Sequence, residues 1–159
     1  KVYSQAGKGT TFKVLFPAAA DDAPDPGPAA PGREDVGRGR TVLVVDDEKP
    51  VRDLARKALE AAGFRVLLAA DGRDGVDAFV RDVDTIDLVL LDLTMPRLGG
   101  ADAFRLIRQV RADARVVLTS GYTGGEATNG FEGKGLAGFL RKPFRVQDLI
   151  AAVVAQLGG

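Results

Sequence analysis

The chain has 159 residues, of which 45% are hydrophobic, enough for one domain with a buried core. The 22 basic residues balance the 22 acidic ones, which argues against nucleic acid as a partner. Cysteine and histidine are absent, so disulfides, thiolate or imidazole metal ligands and histidine bases are excluded. No stretch approaches the roughly 20 apolar residues of a membrane span, so we expect no membrane contact and a cytoplasmic location.

Residues 1–16 predict two short strands around a glycine turn, Gly7-Lys8-Gly9. An isolated hairpin is at best marginally stable in water. We therefore expect this hairpin to be the remnant of a larger domain. The chain begins at Lys1 without a secretory signal pattern, which also suggests a piece of a longer protein.

Residues 17–40 differ in composition from the rest of the chain. They contain five of the eight prolines, and from Ala18 onward Val36 is the single larger apolar residue. Such a segment buries too little apolar surface to offset its ordering entropy. We predict a flexible linker rich in proline, alanine and glycine.

Residues 41–157 alternate between short apolar runs and amphipathic stretches, which predicts a parallel sheet with helices on both faces. One region is weaker, because seven of the 18 residues in 121–138 are glycine, which disfavours a helix. The predicted strands are 41–45, 65–70, 87–91, 115–119 and 138–141, and the predicted helices are 50–62, 73–82, 98–111, a weak one near 123–132, and 145–157.

Charged residues follow three of the predicted strands. Asp46 and Asp47 follow the first strand, Asp92 the third, and Lys142 the last. Because ligands bind beyond the carboxyl ends of parallel strands, we expect these four side chains to meet at one edge of the sheet. Oxygen ligands without histidine or cysteine favour Mg²⁺.

Each of these residues also has a simpler interpretation. The acid pair can cap the following helix, Asp92 can begin a turn, and Lys142 can be an exposed lysine before a proline. Thr119 and Ser120 end the fourth strand, where a hydroxyl either caps the turn or donates to a phosphoryl oxygen.

Four segments in order, VLVVDDE, LVLLDLTMPRLGG, VVLTSGYT and GFLRKPF, resemble the motif blocks of a response-regulator receiver domain. The resemblance spans 41–157 and implies a (βα)5 flavodoxin-like α/β fold, a doubly wound five-stranded parallel sheet in strand order 2-1-3-4-5. It implies that Asp92 is the phosphoacceptor. It also implies that Mg²⁺ is held by Asp46, Asp47, Asp92 and the backbone carbonyl of Thr94.

The same resemblance assigns the remaining site residues. Lys142 takes the position of the phosphate-binding lysine. Ser120 is the expected switch hydroxyl, because it lies 28 residues after Asp92 and 22 before Lys142, and Thr119 is the alternative. Phe139, three residues before the lysine, takes the position of the switch aromatic, although an ordinary core phenylalanine is also common there.

The segment SQAGKGTTFKVLFP resembles the last glycine box and terminal hairpin of a sensor histidine kinase ATP-binding domain. Its position before a linker and a receiver is that found in hybrid histidine kinases. In a complete domain Gly7, Gly9 and Thr10 would contact ATP phosphates. Because the rest of that domain is missing from these residues, we expect no ATP binding and no complete kinase.

The resemblance implies a phosphorelay switch of a two-component system. A histidine kinase or a histidine phosphotransfer protein would donate the phosphoryl group, and the receiver would promote its own phosphorylation and dephosphorylation. Three alternatives stay open: a docking module that is never phosphorylated, a small phosphatase with Asp92 as nucleophile and Thr94 two residues on, and a purely structural domain.

Overall fold

The computed structural model describes residues 2–5, 9–12, 36–121, 131 and 135–158. The chain divides into two compact units, residues 1–30 and residues 31–159. In the first unit, strands β1 (Val2–Gln5) and β2 (Gly9–Phe12) pair antiparallel, as the predicted hairpin requires. The centre of its glycine turn, the predicted linker as far as residue 35, and the predicted helix near 123–132 except Phe131 lie outside the described residues.

The second unit alternates strands and helices around one parallel sheet. The strands lie in the order β4-β3-β5-β6-β7, which is the predicted order 2-1-3-4-5. The elements are β3 (Thr41–Val45), α1 (Lys49–Ala61), β4 (Arg65–Ala69), α2 (Gly72–Arg81), β5 (Leu88–Asp92), α3 (Gly100–Val110), β6 (Val116–Ser120), β7 (Gly138–Arg141) and α4 (Val146–Leu157).

The sheet separates two apolar layers, because successive side chains of a strand point to opposite faces. Leu91 and Leu118 belong to the layer packed beneath α2 and α3. Leu90 and Val117 belong to the layer packed beneath α1 and α4. Strands β3, β5 and β6 are buried along their whole length, which explains their continuous apolar sequences.

Element boundaries differ from the sequence-based ones by at most two residues, and those of β3 and β7 coincide with them. Strand β5 extends to Asp92, because this residue still pairs with Thr119 of β6. Helix α3 begins at Gly100 instead of residue 98, because Gly99 is extended and takes the N-cap position. None of the helices within the described residues is long and apolar enough to cross a membrane.

The last five residues of the predicted linker, 36–40, form a turn against the rest of the second unit. The N–H of Gly37 donates to the carbonyl of Ala62, and a β-carbon at Gly37 would overlap the ring of Phe64. Arg40 forms an ion pair with Asp87 at 2.9 Å between Nη1 and Oδ1. These residues therefore pack as part of the second unit.

Candidate metal centre

Neighbouring strands bring the predicted site residues to one edge of the sheet. Asp92 is the last residue of β5 and lies in register with Thr119 of β6. Asp46 follows β3 directly, and the N–H of Lys142, directly after β7, donates to the carbonyl of Ser120 at 2.8 Å. The parallel register therefore turns distant sequence positions into spatial neighbours.

Three carboxylates form a cluster at this edge. Asp46, Asp47 and Asp92 each offer one oxygen, and these oxygens all lie within 4.8 Å of one another. Asp46 and Asp92 are both 3% exposed, whereas Asp47 is open to solvent. The structure thus brings together the acids that the sequence places at two strand ends.

Lys142 supplies positive charge to the cluster. Its Nζ lies 2.7 Å from Oδ2 of Asp46 and 3.2 Å from Oδ2 of Asp92, with Oε1 of Glu48 at 3.5 Å. The peptide bond between Lys142 and Pro143 is cis. Because its Nζ contacts these carboxylates, Lys142 faces the acids and is not an exposed residue at the opposite edge of the sheet.

Three oxygens of Asp46 accept hydrogen bonds. Its Oδ1 accepts the N–H of Glu48 at 2.9 Å, its Oδ2 accepts Lys142, and its carbonyl accepts a guanidinium N–H of Arg52. These bonds fix the turn between β3 and α1. The carboxylate of Asp46 accepts a bond just outside α1, whose N-cap is Glu48, so helix capping does not account for its position.

The surroundings of Asp92 shift its pKa. Burial raises the pKa of Asp92 above the ordinary 3.8, Lys142 opposes this rise, and the negative charge of Asp46 adds to it. Its Oδ1 is buried and has no hydrogen-bond partner among the described residues. A buried carboxylate oxygen of this kind is costly unless a cation or a donor reaches it.

The pKa of Lys142 is also raised, which favours the charged form of this residue. Burial alone would lower the pKa of Lys142, but its hydrogen bond and charge interaction with Asp46, together with Asp92, outweigh burial and raise the pKa above 10.5. The ammonium is therefore charged at neutral pH. One ammonium against three carboxylates leaves an excess of negative charge.

An open pocket of about 660 Å³ lies over the cluster. Asp47, Asp92 and Lys142 form its polar side. Four residues of α1 and of the segment after β7 form its apolar side: Val51, Leu54, Pro143 and Phe144. Asp92 is therefore buried by its neighbours and still reachable from the pocket.

The other predicted site residues lie around this pocket to different degrees. Thr94 lines it and is exposed. Ser120 is fully buried and Thr119 is 2% exposed, both at the end of β6. Phe139 is partly buried against the layer beneath α2 and α3. Thr94 follows β5, Thr119 and Ser120 end the neighbouring strand β6, and Phe139 lies on β7, one strand further along the sheet.

The cluster fits a hard divalent cation. Carboxylate oxygens alone, close together and with excess negative charge, are the ligand set that Mg²⁺ prefers. The unpartnered Oδ1 of Asp92 is an acceptor that such a cation would satisfy. The solvent-exposed Asp47 leaves room for the waters that Mg²⁺ retains.

Two charged contacts near the site were not predicted from the sequence. Glu48 reaches Lys142, although its only visible signal is its place after the acid pair. Asp71 is buried at the start of α2 and pairs with Arg97 in the segment after β5. An Asp-Gly pair before a helix signals a cap, but it does not reveal a partner in another loop.

Comparisons with known proteins agree with this geometry. Residues 42–154, more than half of the chain, match the family described as "Response regulator receiver domain". The sensor kinase CckA of Brucella abortus (strain 2308) is 32% identical over 164 residues, a match that covers 97% of this chain and 17% of that kinase. The chain thus spans about a sixth of the length of that relative.

Solved structures give the same result. A response regulator receiver domain protein from Clostridium thermocellum has a TM-score of 0.70 and 29% identity, covering 75% of this chain and 94% of that one. The receiver domain of the hybrid histidine kinase CckA has a TM-score of 0.63 and 33% identity, covering 74% of this chain and 98% of that one. This chain belongs to the response regulator receiver domain family.

Proposed function

We propose that Asp92 accepts a phosphoryl group from a phosphohistidine and that this modification switches the conformation of the domain. The observation that carries the proposal is the state of Asp92. Its carboxylate is buried, and one oxygen has no hydrogen-bond partner among the described residues. Carboxylate oxygens of two further acids lie within 4.8 Å, and the ammonium of Lys142 lies 3.2 Å away. Family membership supports the same role, because receiver domains are the phosphoacceptors of two-component systems.

Mg²⁺ is the cofactor that we propose for this site. Receiver domains as a family bind Mg²⁺, and the ligands here would be Asp46, Asp47, Asp92 and the backbone carbonyl of Thr94. When bound, the ion would offset the negative charge of an incoming phosphoryl group. Asp47 would be a more direct ligand than Asp46, because both oxygens of Asp46 already accept hydrogen bonds.

The transfer itself is a displacement at phosphorus. A carboxylate oxygen of Asp92 forms the new P–O bond while the P–N bond of phosphohistidine breaks, and the electron pair of that bond returns to the histidine nitrogen. The ammonium of Lys142 would leave the carboxylates and pair with a phosphoryl oxygen instead. Before the exchange, the contacts with Asp46 and Asp92 raise the pKa of Lys142 and hold the proton on its ammonium.

The switch would involve the end of β6 and the aromatic residue of β7. We propose that the hydroxyl of Ser120, or that of Thr119, donates to the phosphoryl group and that Phe139 changes its packing in response. Ser120 already accepts the backbone N–H of Lys142 through its carbonyl. With Ser120 as the donor, Ser120→Ala should take up the phosphoryl group but lose the accompanying change at Phe139, whereas Thr119→Val should retain it; the reverse result would assign the role to Thr119.

The donor must lie outside these 159 residues, because they contain no histidine. Receiver domains as a family interact with histidine kinases or phosphotransfer proteins. The apolar side of the pocket, with Val51, Leu54 and Phe144, borders Asp92 and can hold the apolar surroundings of a phosphohistidine. We infer that the partner covers this side of the pocket when it presents its histidine.

We infer that the chain is a cytoplasmic part of a hybrid histidine kinase. Its proposed parts are a remnant hairpin at 1–16, a linker at 17–40 and a receiver at 41–157. The match to the CckA sensor kinase supports this arrangement, because it covers 97% of the chain and therefore extends well beyond the receiver. A chain starting at residue 36 should retain the thermal midpoint of the receiver, whereas removal of 36–40 should lower it.

Intact-mass measurement after incubation with acetyl phosphate tests the central proposal. The expected result is a single phosphoryl adduct that requires Mg²⁺ and is absent from Asp92→Asn, while a control variant at the exposed Asp113, Asp113→Asn, still forms it. A folded wild type without an adduct would identify a docking module instead. Steady phosphate release from simple monoesters without a lasting adduct would identify a phosphatase.

A further inference from the structure

A second buried carboxylate, Asp71, lies outside the acid cluster. It is 1% exposed and precedes α2, where its Oδ1 accepts the N–H groups of Arg73 and Asp74 at 2.8 and 3.0 Å. Its Oδ2 lies 2.5 Å from Nη2 of Arg97. One carboxylate therefore joins the start of α2 to residue 97, in the segment between β5 and α3.

Arg97 has an unusual backbone conformation for its side chain. Its φ is +66°, in the left-handed region that favours glycine or asparagine over a long side chain. Its side chain is 74% exposed, and its guanidinium pairs with Asp71. Glycine would adopt this backbone conformation with less strain. The ion pair with Asp71 is therefore the contact that an arginine adds at this position.

The same segment is confined at both of its ends. A β-carbon at Gly72, next to Asp71, would overlap the carbonyl oxygen of Leu98. A β-carbon at Gly100 would overlap the carbonyl oxygen of Asp92. Segment 93–99 thus lies directly against the start of α2 and follows the proposed phosphoacceptor without a spacer.

We propose that Asp71 is a positioning residue for the metal centre and acts through Arg97. The ion pair holds segment 93–99, which carries the Thr94 carbonyl, in the place that Mg²⁺ binding needs. This inference rests on the proposed metal site. It adds a charged contact to segment 93–99 outside the acid cluster.

The burial of Asp71 explains why the pair has an effect although the arginine is exposed. An exposed ion pair contributes little, because water screens both charges. Loss of Arg97 would leave Oδ2 of this buried carboxylate without its ion-pair partner, while Oδ1 keeps its two backbone donors, and a buried acceptor that loses its partner costs free energy. The segment would then shift to admit water at Asp71, and Thr94 would move with it.

The test compares Arg97→Met, Arg97→Lys and Asp71→Asn in the full chain, without any phosphodonor. Asparagine at residue 71 still caps α2 but lacks the charge. Arg105→Met is the matched control, because it removes an exposed arginine that pairs with the exposed Asp102 on α3. The measurements are a Mg²⁺ titration followed by amide NMR shifts, hydrogen exchange of 93–99, and the thermal midpoint in EDTA.

We expect Arg97→Met to weaken Mg²⁺ binding by about tenfold, the lower end of the range for residues that orient metal ligands. Amide exchange in 93–99 should be faster, Arg97→Lys should restore part of both effects, and Arg105→Met should change neither. Asp71→Asn should act like Arg97→Met, and the double variant should be no worse than either single one.

Two results would overturn the inference while leaving the proposed function intact. One is wild-type Mg²⁺ affinity in a folded Arg97→Met chain, even with a lower thermal midpoint, because the pair would then be merely structural. The other is a double variant whose loss equals the product of the two single losses. Failure of the wild type to bind Mg²⁺ would overturn both the metal site and this inference.

Discussion

Lys142 lies closer to Asp46 than to Asp92: its Nζ is 2.7 Å from Oδ2 of the former and 3.2 Å from Oδ2 of the latter. The ammonium therefore occupies the acid cluster as a resident cation. Any second cation must share the carboxylates with it, and an incoming phosphoryl group must draw it away from Asp46. The following predictions depend on this competition and on the packing around it.

The first prediction concerns removal of the resident cation. Lys142→Met should bind Mg²⁺ at least about tenfold more tightly than the wild type, because the ammonium contacts the same carboxylates and a like charge in a partly buried site opposes a second cation by more than about 1.4 kcal/mol. A Mg²⁺ titration by calorimetry measures this. Lys49→Met, which removes an exposed lysine paired with Asp53, should leave the affinity unchanged. Weaker binding by Lys142→Met would contradict the proposed competition.

The second prediction is a pH dependence set by Asp92. Burial raises the pKa of Asp92 in the folded chain above 3.8. As the pH falls, the folded chain therefore protonates Asp92 before the unfolded chain does. Above the folded-state pKa, the charged carboxylate therefore lowers the free energy of unfolding by its full amount. This loss disappears as the pH falls through that pKa towards 3.8. In EDTA at neutral pH, Asp92→Asn should be more stable than the wild type, and the difference should shrink in acid.

Urea unfolding between pH 7 and pH 4 measures this difference. Asp113→Asn, which changes the net charge equally at an exposed site, controls for the overall charge. A stability advantage of Asp92→Asn that grows in acid would show that the carboxylate is stabilised in the folded state, contrary to its burial.

The third prediction concerns close packing behind the acid cluster. Gly100→Ala should destabilise the chain by about 1–3 kcal/mol, because its β-carbon would overlap the carbonyl oxygen of Asp92. At Gly99 the nearest atom to such a carbon is 4.0 Å away. Gly99→Ala should therefore cost at most about 1 kcal/mol, the effect of alanine at an N-cap. Denaturant midpoints compare the two, and equal losses would argue against the close approach.

The fourth prediction concerns a half-buried arginine at the end of α3. The guanidinium of Arg111 donates to the carbonyls of Val83 and Ile86 at 2.6 and 2.7 Å and lies over the ring of Phe79. Arg111→Ala should cost about 2 kcal/mol or more, because two partly buried carbonyls lose a charged donor. Arg105→Ala, which breaks an exposed pair, should cost less than about 0.5 kcal/mol. Similar losses in urea unfolding would contradict this assignment.

Much of the fold follows from local patterns. The run LVLLD predicts a buried strand because parallel strands covered on both faces need continuous apolar residues. Parallel strands place their carboxyl ends at one edge, so the meeting of Asp92 with Asp46 and Asp47 was predictable before the distances were known. Lys142 follows from the same rule, as the residue after the last strand of the sheet.

Contacts between loops were not predictable in this way. The pairing of Asp71 with Arg97 depends on a backbone φ of +66° at the arginine, and no residue type there signals that conformation. The reach of Glu48 to Lys142 similarly depends on the path of the chain after β7. Periodicity describes the faces of helices and strands, whereas loop geometry depends on contacts that form after those elements have packed.

The division of the core by the sheet bears on how such a domain diversifies. No described residue belongs to both apolar layers, and their side chains are separated by the strand backbones. Substitutions under α2 and α3 therefore need no matching change under α1 and α4, since distant sites are nearly additive. One flank can acquire a new surface over generations while the opposite flank, and the chemistry at the strand ends between them, stays as it was.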